Sequence, residues 1–208
     1  MSRGILAGVL AMATVVVASN VLVQFLAGNW LTWGAFTYPF AFLITDLMNR
    51  LYGTASARKV VFAGFAVGVA CSLIGSQIEG AYGPLVSLRV AIGSGTAFLL
   101  AQLLDVAIFS ALRSGTWWRA PLVSSILGGA LDTALFFAIA FSATFVFVNP
   151  SEDVSWAGEM LPLLGLGPIV PLWVSLAVAD YSVKLGIALL ALVPFWALVT
   201  RLRPAETL

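Results

Sequence analysis

Four ionisable side chains, Asp105, Asp132, Asp180 and Lys184, interrupt runs of residues apolar enough for lipid. Asp105 lies in AIGSGTAFLLAQLLDVAIFSAL, Asp132 in APLVSSILGGALDTALFFAIAF, and the other two in WVSLAVADYSVKLGIALLALVPFWALV. A charged side chain at the centre of a membrane helix costs roughly 2.5–3.5 kcal/mol on insertion scales. Such residues must face a bundle interior or a wet cavity, and the default chemistry is a pocket or path for a polar solute. Spacing adds detail. Asp180 and Lys184 are four apart and share a helical face, which predicts a pair that neutralises itself or opens when a solute or proton arrives. Gln102 and Asp105, three apart, share another face, and Asn20 and Gln24, four apart, a third. Asp46 and Arg50 are four apart at the end of an apolar run near water, where a surface ion pair or a gate is expected. Asp132 lies about 16 Å into its run at 1.5 Å per residue, close to the bilayer centre. That depth makes it the leading solute contact, with helix–helix packing as the bland alternative. Trp33, Phe36 and Tyr38 surround Pro39, which kinks a helix, so one or two of these rings could stack on a flat ligand.

The elements that must position these residues are membrane helices. The chain has 208 residues, 61% hydrophobic and 9% charged, against about 25% charged in soluble domains. A spanning helix needs about 20 mostly apolar residues. Six spans are predicted, near 5–26, 30–48, 60–78, 90–112, 121–147 and 173–200, within one transmembrane domain over 1–208. The second is the weakest, because Pro39 falls in its middle. If all six cross from a cytoplasmic N-terminus, the cytoplasmic segments hold Arg3, Arg50, Arg58, Lys59, Arg113, Arg119, Arg201 and Arg203, eight of the ten basic residues. The outer loops hold Glu79, Glu152, Asp153, Glu159 and one basic residue, Arg89. The positive-inside rule therefore favours six crossings with both termini cytoplasmic. Trp117 and Trp118 sit at the expected headgroup level. The stretch LPLLGLGPIVPLW is apolar but rich in Gly and Pro, and reads as an interfacial turn or a re-entrant piece.

Other function classes fall away. There is no histidine, so histidine acid–base chemistry and most transition-metal sites are excluded, and no metal site or cofactor is expected. The lone Cys71 cannot form an intramolecular disulfide. No Gly-rich phosphate loop ends in Gly-Lys-Ser or Gly-Lys-Thr, so no nucleotide-hydrolysing motor is present. A nucleophile with a base or metal is also lacking, so no catalytic residues are assigned and no enzyme is expected. A net charge of +1 gives no reason to expect nucleic acid.

A resemblance narrows the solute. SNVLVQ (19–24), TWGAFTYPF (32–40), FLITDL (42–47), RLYG (50–53), QLLDV (102–106), WWRAP (117–121), DTALFFAIAF (132–141) and DYSVK (180–184) resemble the queuosine precursor transporters of the vitamin uptake transporter family. The resemblance implies uptake of 7-cyano- or 7-aminomethyl-7-deazaguanine across a bacterial inner membrane by a multi-pass protein. Its partners would be a nucleobase-like substrate and membrane lipid, with self-association left open. A guanine-like edge presents two adjacent N–H donors, which a carboxylate such as Asp132 or Asp105 can accept, and a carbonyl that Gln102, Asn20 or Gln24 can serve. Trp33, Phe36 or Tyr38 could stack on the ring. Asp46, Asp180 and Lys184 are the gate or coupling candidates, with proton-coupled and facilitated uptake both open. The alternatives are a substrate-capture subunit that needs a separate ATP-driven partner, and a membrane scaffold with no transport activity.

Overall fold

The computed structural model describes residues 2–81 and 83–202. Arg203, assigned above to the cytoplasmic side, lies outside the described residues. The described residues form seven α-helices: α1 (Arg3–Leu22), α2 (Gly34–Thr37), α3 (Phe40–Tyr52), α4 (Thr54–Gly75), α5 (Leu88–Leu112), α6 (Arg119–Phe141) and α7 (Leu172–Leu202). Among the described residues, α1, α4, α5, α6 and α7 are long and apolar enough to cross a membrane. They also carry exposed apolar side chains away from the bundle, such as Leu73 on α4 and Leu190 and Val193 on α7, as helices in lipid do. The protein is an all-α, multi-pass membrane protein.

The second predicted span is the one that departs from a regular helix. Pro39 has no N–H to donate, and the ladder breaks there. Tyr38 N–H still reaches Gly34 O at 3.0 Å, but Ala41 and Phe42 bond three residues back, to Tyr38 O and Pro39 O. Tyr38 and Pro39 keep right-handed helical dihedrals, so α2 and α3 form a broken but continuous rod from Gly34 to Tyr52. The rod docks closely on α1. A Cβ on Gly34 would lie 2.9 Å from Val23 N and 3.0 Å from Ser19 O, both backbone atoms that cannot swing away. Ser19 Oγ and Thr37 Oγ1, 3.0 Å apart, tie the same junction.

Capping serines set three of the helix ends, while α4 starts six residues before the predicted limit of 60. Ser2 Oγ accepts Ile5 N–H and Ser87 Oγ accepts Val90 N–H, so α1 and α5 start at N-capping serines. At Ser142 the backbone turns extended and its Oγ accepts Thr144 N–H, ending α6 at Phe141, six residues before the predicted limit. Residues 143–148 form a 3-10 segment instead. Among the described residues, three antiparallel strand pairs lie in the loops: Leu26–Ala27 with Leu31–Thr32, Glu79–Gly80 with Gly83–Pro84, and Met160–Pro162 with Ile169–Pro171. The Gly- and Pro-rich stretch before α7 is the third of these. Its tip turns through positive φ at Leu164 and Gly165, and Leu164 N–H donates to Ser175 Oγ at 3.2 Å.

The apolar core lies between α1, α3, α4 and α5, built on Met12, Val16, Met48, Val60, Val61 and Phe98. A second cluster joins Phe109 of α5 to Phe195 and Val199 of α7. α5 and α6 pack on each other over the longest stretch. Gly128 permits that approach, since a Cβ there would lie 2.8 Å from Phe42 Cε1 and 3.3 Å from Ala101 O. Among the described residues, the buried charged side chains Asp46, Arg89, Asp105, Asp132 and Lys184 all lie on α3, α5, α6 and α7.

Candidate substrate site between the helices

Two buried polar clusters lie between these helices. The first sits where α6 and α7 face the break between α2 and α3. Asp132 lies thirteen residues into α6 and Lys184 twelve residues into α7, each about 18–20 Å along its helix. Lys184 is 7% exposed and directs its three ammonium hydrogens at three acceptors. They are Asp132 Oδ2 at 2.7 Å, Thr133 Oγ1 at 2.8 Å and Asp180 Oδ2 at 2.5 Å. Thr133 donates its own hydroxyl hydrogen to Asp180 Oδ2 at 2.7 Å. Tyr38, set by the Pro39 break, donates to Asp132 Oδ1 at 2.8 Å, and the Lys184 ammonium lies 5.4 Å from its ring centroid. Phe42 and Phe98 meet that ring edge-on and fix its plane. The lysine stem runs past Gly129, where a Cβ would stand 3.8 Å from Lys184 Cβ and Cδ, in ordinary contact.

One ammonium against two carboxylates leaves this cluster one formal negative charge. Removing a single bond tests how tightly it is held. A hydrogen bond to a charged group contributes about 1.5–3 kcal/mol. Tyr38→Phe is expected to destabilise the protein by about that much, read as a lower Tm of the purified chain in detergent.

The second cluster lies towards the other end of α3. Asp46 is 2% exposed and accepts Ser124 Oγ at 3.2 Å and Ser125 Oγ at 3.4 Å. Asp105 is fully buried and stands against Asp46. Thr45 donates to Gln102 Oε1 at 2.6 Å, and Asn49 donates to Val106 O and Ser110 Oγ, tying α3 to α5. Between the two clusters, α3, α6 and α7 enclose a cavity of about 20 Å³, lined by Asp46, Ser125 and Lys184 among apolar neighbours. That is room for about one water.

A sequence model of the family described as "Putative vitamin uptake transporter" matches residues 32–199. The chain belongs to the vitamin uptake transporter family. Among its relatives, the queuosine precursor transporter of Escherichia coli (strain K12) is 33% identical over 199 residues, covering 89% of this chain and 81% of that protein. The protein named "Probable queuosine precursor transporter" in Haemophilus influenzae (strain ATCC 51907 / DSM 11121 / KW20 / Rd) is 34% identical, over 81% of this chain and 68% of its own. One with the same name in Bacillus subtilis (strain 168) is 27% identical, over 80% and 71%. No solved structure matches the chain.

The other candidate residues of this family member fall outside the first cluster. Gln102, Asp105 and Asp46 gather in the second. Asn20 is half-buried and donates to Val16 O on its own helix, while Gln24 is exposed just past the end of α1. Trp33 and Phe36 are exposed beside the first hairpin, with ring centroids 5.8 Å apart. Asp46 is no surface ion pair: it is buried, and Arg50 sends its Nη1 to Arg113 O at 2.8 Å. Thr133, Ser124 and Thr45 were not singled out in the sequence, although Thr133 directly follows Asp132. The loop after α6 forms a second, open cleft of about 410 Å³, which includes Glu152 and Asp153. There the Ser155 N–H, 2.9 Å from Asp153 Oδ1, holds that carboxyl below the usual range.

Proposed function

We propose that this chain takes up a queuosine precursor, 7-cyano- or 7-aminomethyl-7-deazaguanine, across the bacterial inner membrane, with Asp132 as its principal contact. The single observation that carries the reading is the buried Tyr38–Asp132–Lys184–Asp180 cluster, in a chain whose family and relatives are transporters. Asp132 presents two carboxylate oxygens to a guanine-like edge with two adjacent N–H donors, and Tyr38 offers a flat ring beside it. Binding of this type discriminates well, because a ligand lacking a partner leaves a buried group unpaired. Lys184 and Asp180 act as the gate: Lys184 must release Asp132 before substrate can take its place. The 20 Å³ cavity beside Lys184 is far too small for a purine-like base, so α7 has to move away from α3 and α6 during the cycle.

Six crossings with cytoplasmic termini fit this scheme. The α2–α3 rod of nineteen residues spans about 28 Å, close to the hydrocarbon thickness. If it crosses, Arg3, Arg50, Arg58, Lys59, Arg113, Arg119 and Arg201 share one side and all three hairpins share the other. The exception, Arg89, is fully buried and bonded to α6 carbonyls, so it presents no charge at the outer surface.

The test is queuosine in transfer RNA of a strain that cannot make the precursor, with either base supplied, with and without this chain as the only added protein. Rescue by the chain alone supports uptake and disposes of both an ATP-driven partner and an inert scaffold. Absence of rescue by both bases would sink the substrate assignment.

A further inference from the structure

Asp46 and Asp105 take no part in the substrate site just described, yet they are among the most completely buried polar side chains of the molecule. Among the described residues, both oxygens of Asp105 lack a donor. The hydroxyl hydrogen of Ser124, which stands beside both carboxyls, goes to Asp46. Gln102, one turn earlier on α5, spends its Oε1 on Thr45 and leaves its Nε2 without an acceptor among the described residues, so it does not serve Asp105 either. A bare carboxylate in so dry a site, beside a second carboxylate, is too costly to persist. One hydrogen placed between the two carboxyls relieves both faults, since it halves the charge and gives one Asp an O–H to donate to the other.

We propose that Asp46 and Asp105 form a proton-binding site whose single shared proton couples uptake to the proton gradient. The proposal rests on the transport reading above. In the conformation seen here the pair is dry and carries the proton. When α7 moves and the seam wets, the shared O–H gives its proton to water and both carboxylates are solvated. Re-protonation from water restores the dry, packed form. No electrons move, and the only bond made or broken is the carboxyl O–H.

The surroundings favour this assignment. The cavity with room for about one water touches Asp46 on one side and Lys184 on the other, so the two clusters share one opening. A metal ion would need volume and several oxygens around it. The described cavity in this seam holds about one water, and Asp105 is not among its lining residues, whereas a proton needs no space. The charged groups facing the pair are few. From α7 it is Lys184, committed to Asp132 and Asp180; α6 carries Asp132, held by Lys184, and Arg119, exposed at its start, and Arg113 is exposed at the end of α5. On α3 itself Arg50, one turn on, donates to Arg113 O and covers the Phe109 ring. Arg3 of α1 and Arg58 and Lys59 of α4 are exposed at the starts of their helices.

Two measurements test it. The first is infrared spectroscopy of the purified protein at neutral pH, reading the carbonyl-stretch band of a protonated carboxylic acid. The band is expected in the wild type and in Asp153→Asn, and lost in both Asp46→Asn and Asp105→Asn. Its absence from the wild type, or its survival in both of those variants, overturns the proposal. The second is uptake of labelled 7-cyano-7-deazaguanine into proteoliposomes under an inward proton gradient. Wild type should accumulate base above the external level and lose that accumulation with a protonophore. Asp46→Asn and Asp105→Asn should only equilibrate the base while still exchanging internal for external base, whereas Asp132→Asn should do neither. Gradient-driven accumulation by both carboxyl-pair variants, accumulation indifferent to the protonophore, or accumulation driven by sodium instead would overturn coupling through this pair. Wild-type vesicles that take up no base would sink the transport reading and, with it, the coupling, while the infrared result would still decide whether the pair holds a proton.

Discussion

Lys184→Met is expected to abolish base uptake, leaving queuosine at the level of cells without the chain, and to destabilise the protein by about 3–5 kcal/mol. Methionine keeps most of the lysine stem, so packing is nearly preserved. What disappears is the ammonium that holds Asp132, Thr133 and Asp180 together. Two carboxylates are then left buried with one hydroxyl donor each, Tyr38 for Asp132 and Thr133 for Asp180. An uncompensated buried charge, unlike a missing surface pair, has no water to fall back on. The measurement is thermal unfolding in detergent beside the transfer-RNA assay. A second variant separates the two effects. Removing all three charges together, with Lys184→Met, Asp132→Asn and Asp180→Asn, should recover most of the lost stability, because a neutral cluster is no worse than a buried ion pair. It should not recover uptake, because the amide that replaces the Asp132 carboxylate offers one acceptor oxygen where the substrate edge needs two. A Lys184→Met protein that keeps wild-type Tm would mean the cluster is wetter than its burial indicates.

The same cluster marks how far the sequence can be read. Apolar run length located the five helices that are long and apolar enough to span to within a few residues at most ends, because lipid imposes a length and a composition together. The helix ends set by single capping residues, Ser142 above all, were invisible to hydropathy. Asp180 and Lys184 were legible as a pair because four-residue spacing is a property of one helix. That Lys184 also takes Asp132 depends on the register of α7 against α6, which no local spacing encodes. Asp46 illustrates the converse. Its four-residue spacing to Arg50 suggested a local pair, but α3 turns Asp46 towards Ser124, Ser125 and Asp105, and Arg50 towards the end of α5. Two charges near a helix end are therefore weak evidence for each other when neighbouring helices supply hydroxyls. Tyr38 shows a signal that was present but ambiguous. Pro39 announced a break, and the break is what aims Tyr38 at Asp132, yet Trp33 and Phe36 had equal claim from sequence and remain at the surface.

Arg89 is the other residue whose loss should be large, for a reason unconnected with substrate. It is fully buried in the first turn of α5, where its own helix dipole disfavours a cation. What holds it there is the C-terminal end of α6. Arg89 Nε and Nη2 both reach Ile139 O, at 3.1 and 2.9 Å, and Nη2 reaches Ser142 O at 2.7 Å. Those carbonyls belong to the last turn of α6 and the residue that ends it, where intrahelical donors run out. The guanidinium fork thus closes one helix end and binds it to the start of its antiparallel neighbour. Arg89→Leu leaves the buried Ile139 carbonyl without a donor, at about 1–3 kcal/mol, and removes the charge-assisted bond to Ser142 O, which keeps only the Phe145 N–H, so a loss of roughly 2–6 kcal/mol is expected. Arg89→Lys should recover only part of this, because a point-like ammonium cannot present the fork that serves both carbonyls. The check is Tm of the purified variants together with uptake normalised to folded protein. Arg89→Leu should lower the Tm and the amount of folded chain while leaving uptake per folded molecule near wild type, since Asp132 lies about two turns from Ile139 along α6. A normal Tm combined with lost uptake would instead place Arg89 on the substrate path, where its buried Nη1, which lacks a hydrogen bond among the described residues, would be the group to examine.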